Sequence, residues 1–207
     1  MIPLFIPYVN RRDLLDKAVR SSHGGRVETI VINNSDRPVI EHTAIAPPVP
    51  LTFAQTQNWM LKMAWEEPFY LFMHSDAEAV GDTVLRLVAM AQALTVQKRK
   101  WGVIFTAYDA LAAFNTEAFQ SVGGWDPFLE WYHADTDMYR RLRLAGYEMV
   151  ESNLPVKHEP SSTLNADPAI KMKVNLMFPC RVAYYRAKWG GDAGSETFDV
   201  PFNGKGA

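Results

Sequence analysis

Three short polar clusters in the sequence carry side chains that could bind a metal ion or move a proton. They are "NNSD" at 33–36, "HSDAE" at 74–78 and "HADTD" at 133–137. In the second cluster, His74, Asp76 and Glu78 offer ligands to a divalent cation, because Mg²⁺ and Mn²⁺ favour oxygen and often use only one or two carboxylates plus phosphate. Asp76 could instead cap a following helix, so the residues alone leave both interpretations open.

The third cluster places Asp135 and Asp137 at the start of a predicted helix. Acidic residues there favour the positive end of the helix dipole, and the arginines of "MYRRLRL" favour its later turns. Helix electrostatics does not explain the preceding segment, "SVGGWDPFLEWYH", which is aromatic and loop-like. Helix electrostatics alone therefore does not decide what Asp135 and Asp137 do.

Two further groups have weaker signals. Asn33 and Ser35 could hydrogen-bond a nucleobase or ribose, although Asn, Ser and Asp are also the usual residues of turns. His158, in "PVKHEPSS", follows the last predicted strand and is either a structural histidine or a metal ligand. The one cysteine, Cys180, excludes an intrachain disulfide and points weakly to a reducing compartment.

The elements that must position these groups alternate between strands and helices. Apolar runs such as "IPLFIPYV", "VETIVIN" and "PFYLFM" predict strands, and "RRDLLDKAVRSS" and "DTVLRLVAMAQALTVQ" predict helices. We expect further strands in "WGVIFTAYDALAAFN", a short helix stopped by Gly123 and Gly124, one last strand with a loop in "EMVESNLPVKHE", and a tail helix interrupted at Pro179. The pattern predicts an α/β fold with a mostly parallel sheet, whose strand ends should bring the polar clusters together.

Length and composition bound the function. At 207 residues with 48% hydrophobic content, the chain should form one soluble domain. A net charge of −2 gives no global field for nucleic acid or membrane, although the tail is locally basic. The N-terminus is a poor signal peptide, and no apolar run approaches the ~20 residues of a membrane span, so we expect a cytoplasmic protein.

Taken in order, the segments resemble the GT-A glycosyltransferases of the large family 2 type. "FYLFMHSDAEAVGDTVLRLV" is similar to the segment with that family's D-x-D metal motif, with Asp76 at its final acid and His74 where the first acid often stands. "AFNTEAFQSVGGWDPFLEWYHADTDMYRRLRLAGYE" resembles the family's acceptor-side loop, Gly-Gly-aromatic-Asp turn and acid-acid helix start. Ala134 replaces the acid that often precedes Asp135.

The resemblance implies a GT-A, Rossmann-like nucleotide-sugar-binding fold with helices flanking a mostly parallel sheet. One domain would span 1–207, with a catalytic core to about residue 160 and a C-terminal helical extension over about 161–207. It implies a metal-dependent inverting transfer of a sugar from a nucleoside-diphosphate sugar, most simply a UDP-sugar, to an acceptor hydroxyl. Mn²⁺ or Mg²⁺ would be the cofactor.

The resemblance also implies roles for individual residues. Asp135 would be the catalytic base. The metal would be bound by His74, Asp76 and His158. The donor nucleotide would contact Pro7, Asn33, Ser35, Asn58 and Asp76. The acceptor or sugar pocket would contain Trp125, Asp126, Trp131 and Asp137, with Asp137 orienting or capping and core packing as the alternative for Trp131.

Two other functions remain open from the sequence. A nucleotidyltransferase on a related scaffold would suit metal carboxylates, but the chain has no Gly-rich phosphate loop near its N-terminus. A non-catalytic sugar-nucleotide-binding module would tolerate an imperfect metal motif but gives Asp135 no purpose. For the acceptor, a polysaccharide, a protein or a modified nucleic-acid base all remain possible.

Overall fold

The structure is a computed structural model that describes residues 1–39 and 42–204. The strands, in chain order, are β1 (Ile2–Tyr8), β2 (Val27–Asn33), β3 (Ala44–Ile45), β4 (Phe69–Met73), β5 (Ala77–Ala79), β6 (Trp101–Phe105), β7 (Leu111–Asn115), β8 (Glu148–Glu151) and β9 (Val156–His158). The helices are α1 (Arg12–Ser21), α2 (Phe53–Met63), α3 (Thr83–Val96), α4 (Thr116–Ser121), α5 (Ala134–Leu144), α6 (Ser162–Ala166) and α7 (Pro168–Trp189).

Seven strands form the central sheet in the order β3-β2-β1-β4-β7-β6-β8. Every pairing between neighbours is parallel except those of β7, which is antiparallel to both β4 and β6. The predicted α/β architecture with a mostly parallel sheet is therefore confirmed. Because β1, β2, β4 and β6 run in one direction, their carboxyl ends lie along one edge of the sheet.

Helices cover both faces of this sheet, and each face has its own hydrophobic core. Alternation along β1 sends Leu4 and Ile6 to one face and Phe5 to the other. The first core includes buried side chains of α1 and α3, and the second includes those of α2, α5 and α7. The fully buried Trp189 places the end of α7 in the second core.

Three details differ from the sequence-based expectations. The tail helix is not interrupted at Pro179, because α7 continues through it from Pro168 to Trp189. A proline removes one helical hydrogen bond, and the buried side chains beyond it compensate by packing. Residues 148–158 form two strands rather than one, and the second, β9, pairs with β5 in a small antiparallel sheet. Asp76 does not cap a helix, since α3 begins at Thr83.

Within residues 1–39 and 42–204, we find no helix whose length and apolar character would let it cross a bilayer.

Candidate active site

Two histidines and a carboxylate meet where β4 leaves the sheet. His74 directly follows β4, and the register of β5 with β9 sets Ala77 opposite His158, beside Asp76. One ligand atom from each of His74, Asp76 and His158 lies within 4.8 Å of the others. His158 Nε2 is 3.2 Å from Asp76 Oδ1, and the Ser162 hydroxyl donates a 2.7 Å hydrogen bond to Asp76 Oδ2.

The protonation states of this cluster suit a divalent cation. Desolvation lowers the pKa of His74 to about 4, against the opposing charges of Asp76 and Asp135, so its imidazole is neutral at pH 7. Desolvation alone would raise the pKa of Asp76, but hydrogen bonds from His158 and Ser162 bring it below its usual value. The site therefore offers an ionised carboxylate and a free imidazole lone pair, a donor set that fits a divalent cation.

A cavity of about 930 Å³ opens beside His74 and Asp76. The segment after β1, the turn at 34–37, the start of α2 and the 161–174 region of α6 and α7 form its walls. Its volume falls in the range of small-molecule sites, and its position is that of ligands in open α/β sheets. The basic side chains on its wall include Arg11, Arg37 and Lys173.

The predicted donor residues divide into two groups. Pro7 and Ser35 line the cavity. Asn33 lies behind it: its carboxamide donates to the Arg37 carbonyl (2.7 Å) and accepts from the Ser35 N–H (3.0 Å) and hydroxyl (2.6 Å). Asn58 is farther away and holds both the N–H and the carbonyl of Trp125, each at 2.8 Å. Asn33 thus shapes the turn at 34–37, and Asn58 anchors the 125–133 loop.

The predicted sugar-pocket residues also separate. Trp131 lines the cavity, where the Lys173 ammonium lies 5.2 Å from its ring centroid. Trp125 is buried and packs edge-on against Phe53. The carboxylates of Asp126 and Asp137 both point away from the cavity and bind the Lys188 ammonium, at 2.7 and 2.6 Å. Of this set, therefore, only Trp131 is on the cavity wall.

Asp135 lies in the first turn of α5, where it is exposed and accepts a 2.8 Å hydrogen bond from the Thr136 N–H. Asp135 is not on the cavity wall. Its negative charge opposes the lowering of the pKa of His74, which lines the cavity. The same charge contributes to raising the pKa of Asp109 in the β6–β7 turn. Asp135 therefore lies at the same edge of the sheet as the His74–Asp76–His158 cluster.

Sequence reasoning missed several residues that shape the site. Ser162 fixes one oxygen of Asp76, and Asn10 donates to the Thr163 carbonyl at 3.1 Å, which joins the end of β1 to α6 across the cavity. No local pattern identifies either contact, since they join positions 86 and 153 residues apart. Lys173 belongs to the basic tail, so its charge was visible in the sequence but its position was not.

No protein-family model and no curated protein matched the sequence of this chain. Solved structures matched its fold. GalNAc-T7, crystallised with UDP, GalNAc and Mn²⁺, superposes with a TM-score of 0.63 and 12% identity over 76% of this chain. Staphylococcus aureus TarS, in a structure with UDP-GlcNAc, superposes with a TM-score of 0.57 and 11% identity over 73% of this chain. A Drosophila β1,4-galactosyltransferase 7 mutant with manganese, UDP-Gal and xylobiose superposes with a TM-score of 0.50 and 16% identity over 76% of this chain.

The chain spans 43%, 56% and 69% of the lengths of those three structures, respectively. At these identities the likeness concerns the fold. The predicted GT-A fold is confirmed.

Proposed function

We propose that this protein is a divalent-metal-dependent glycosyltransferase that uses a nucleoside-diphosphate sugar, with a UDP-sugar as the first candidate. The observation that carries the proposal is the His74–Asp76–His158 cluster at the carboxyl edge of a GT-A sheet, where His74 and Asp76 line a cavity of about 930 Å³. Solved proteins of the same fold contain UDP or a UDP-sugar, and two of them also contain manganese.

In this proposal, His74, Asp76 and His158 hold Mn²⁺. A bound divalent cation would neutralise negative charge on the departing diphosphate. The protein's own contribution is to keep His74 neutral by desolvation and to fix Asp76 through Ser162. Ligand orientation by a second hydrogen bond of this kind commonly affects metal affinity.

The donor would occupy the cavity, with Pro7 and Ser35 at the nucleotide end. Arg37 and Lys173 also line the cavity and can make charge-assisted hydrogen bonds to phosphate oxygens. The ring of Trp131 offers an apolar face to the C–H surface of the transferred sugar. Asn33 and Asn58 act indirectly, through the turn and the loop that they hold.

Asp135 is the proposed general base. It removes the proton of an acceptor hydroxyl as that oxygen bonds to the anomeric carbon, while the bond from that carbon to the diphosphate oxygen breaks. The nucleoside diphosphate carries away the electron pair of the broken bond. Attack opposite the leaving group inverts the anomeric configuration, and the exposed position of Asp135 leaves it accessible to an incoming acceptor.

The test is release of nucleoside diphosphate from a panel of UDP-sugars without acceptor, with Mn²⁺ or with a chelator. We expect release that requires both Mn²⁺ and Asp76, and that is lost in Asp76→Ala. Asp82→Ala is the matched control, because Asp82 is an exposed carboxylate whose side chain makes no capping hydrogen bond.

Other outcomes would point to the competing functions. Binding of UDP-sugars without any turnover would indicate a binding module. Pyrophosphate release from a nucleoside triphosphate would indicate a nucleotidyltransferase. Once an acceptor is found, the anomeric configuration of the product, read by NMR, tests inversion.

A further inference from the structure

The turn between β6 and β7 presents an aromatic ring to solvent. Tyr108 is 85% exposed, more than any other aromatic side chain in the described part of the chain. Exposed apolar residues are common and need no explanation when they are isolated on a surface. Tyr108 differs because its backbone conformation and its location are both unusual.

Two consecutive residues of this turn adopt left-handed backbone conformations. Tyr108 has φ 57° and ψ 28°, and Asp109 has φ 51°. Tyrosine is disfavoured in this region, where glycine or asparagine is more readily accommodated. Phe202 shares this backbone conformation but is less exposed, so Tyr108 is distinguished by its exposure together with its location.

The turn is held rigidly. The Thr106 hydroxyl donates to the Leu111 carbonyl at 2.9 Å, and the Asp109 N–H donates to the Thr106 carbonyl at 3.1 Å. The Tyr139 hydroxyl, from α5, donates a 2.6 Å hydrogen bond to the Asp109 carboxylate. Tyr108 is therefore carried by a fixed support, which lowers the entropy lost when a ligand binds it.

The location of the turn connects it to the candidate site. The Ala110 carbonyl accepts a 3.0 Å hydrogen bond from the N–H of His74, so the turn borders the metal cluster directly. Tyr139, which holds Asp109, lies one helical turn after Asp135, and the charge of Asp135 acts on Asp109. The exposed ring thus lies at the edge of the sheet that carries the proposed base.

The chemistry of this edge suits a neutral sugar. An aromatic ring packs against the C–H face of a pyranose, and carboxylates accept hydrogen bonds from its hydroxyls. Asp109 and Asp135 lie here, and Glu151 pairs in register with Phe105 just before the turn. Three carboxylates at one edge disfavour a polyanion, because like charges repel.

We propose that Tyr108 is the platform on which the acceptor binds, and that the acceptor is an uncharged carbohydrate rather than a nucleic acid. This inference rests on the proposed function, since it assigns the substrate class to the acceptor side of the same site.

The experiment measures binding of methyl glycosides of glucose, galactose and N-acetylglucosamine by saturation-transfer NMR, with Mn²⁺ and UDP present. We expect transfer to the ring C–H protons of at least one glycoside. Tyr108→Ala should weaken that binding roughly tenfold, the scale of one aromatic contact, and Tyr108→Phe should retain it. Trp65→Ala is the matched control, because Trp65 is 59% exposed and precedes β4, at the opposite edge of the sheet.

The readouts separate the two proposals. Turnover of UDP-sugar by the wild-type protein tests the proposed function, whereas the difference between Tyr108→Ala and Tyr108→Phe in glycoside binding tests this inference. UDP affinity, measured for each variant, reports whether the donor site remains folded. The inference is overturned by equal glycoside affinity in wild type and Tyr108→Ala, by no glycoside binding in any sample, or by Tyr108-dependent binding of an oligonucleotide.

Discussion

Asp135 and Asp137 are separated by one residue but occupy opposite environments. Asp135 is exposed, whereas Asp137 is fully buried and bonded to Arg141, Lys188 and Trp189. Each residue of an α-helix rotates by about 100°, so two positions turn the side chain to the other side of the helix. Of the two carboxylates, only Asp135 is therefore placed for the proposed acceptor-facing role, whereas Asp137 binds partners in the interior.

Asp135→Asn should lower the transfer rate by ~10²–10⁴-fold, the usual contribution of a general base. The amide is nearly isosteric, so UDP affinity and the melting temperature should stay at wild-type values. The measurement is transfer at saturating donor, with Asp82→Asn as the control. Near-normal transfer by Asp135→Asn would remove this residue from the mechanism.

Asp109 gives a prediction about pH. Burial raises its pKa from 3.8 to about 6, so the folded state binds this proton more tightly than the unfolded chain does. The protonated Asp109 carboxyl therefore contributes to the free energy of unfolding below about pH 4. This contribution is lost as the pH rises through about 6 and the carboxyl ionises in the folded state. Asp109→Asn should then stabilise the protein at pH 7.5, by about 1–3 kcal/mol, and much less at pH 4.5.

Urea unfolding of the wild type and of Asp109→Asn, at pH 4.5 and at pH 7.5, measures the predicted difference in unfolding free energy. Asparagine keeps an acceptor for the Tyr139 hydroxyl and tolerates the left-handed backbone at this position. A stability difference that does not change between pH 4.5 and 7.5 would contradict the burial argument.

At the scale of elements, a buried charge network joins the end of α7 to α5 and to the 125–133 loop. The Lys188 ammonium contacts the carboxylates of Asp126 and Asp137, and the indole N–H of Trp189 donates to Asp137 at 2.8 Å. Lys188 is 5% exposed and Asp137 is 0% exposed. The network therefore fixes the loop and helix that carry Trp131 and Asp135.

Lys188→Met should destabilise the protein by about 3–5 kcal/mol, because removing one partner leaves buried carboxylates without compensation. Lys171→Met, at an exposed position of the same helix, should change stability by less than about 0.5 kcal/mol. Equilibrium denaturation of the two variants measures the difference. Equal stabilities would show that the network contributes nothing to the anchoring of α7.

Gly123 and Gly124 allow a second test of the loop. Both have positive φ, at 82° and 74°, but a Cβ on Gly124 would lie 2.6 Å from Asn58 Oδ1, whereas one on Gly123 would meet nothing within 4 Å. Both alanine variants should lose about 1 kcal/mol from backbone strain, and Gly124→Ala should lose about 1–3 kcal/mol more from the clash. Comparing the unfolding free energies of Gly123→Ala and Gly124→Ala isolates the clash with Asn58. Equal losses of stability in the two variants would argue against that clash.

For the molecule as a whole, metal binding should stabilise the fold, because His74 and Asp76 follow β4 whereas His158 ends β9. A ligand that binds only the native state adds about 2.7 kcal/mol at 100 times its Kd. Mn²⁺ should raise the melting temperature of the wild type and of His23→Ala, an exposed histidine, but not of His158→Ala. A shift in His158→Ala as large as in the wild type would place the metal elsewhere.

Local patterns predicted the fold well because it depends on short-range features, namely apolar runs that end in polar turns. They predicted the site less completely. Asp137 and Trp125 have sequence neighbours typical of a sugar pocket, yet they lie inside because of partners such as Lys188 and Asn58, 51 and 67 residues away. His158 reaches Asp76 only through the β5–β9 register, which no spacing rule in the sequence specifies.

One helix, α7, passes from the cavity wall to the core. Lys173 and Val174 line the cavity, and Tyr185 and Trp189 are buried near the other end. Cys180, next to Pro179, is exposed and is the one thiol in the sequence. A nitroxide label attached there would have no competing site, and its dipolar coupling to Mn²⁺ would report a single distance from α7 to the proposed metal position. The natural chain can therefore be used, without removing or adding any cysteine, to measure by pulsed electron paramagnetic resonance whether α7 shifts when a nucleotide enters.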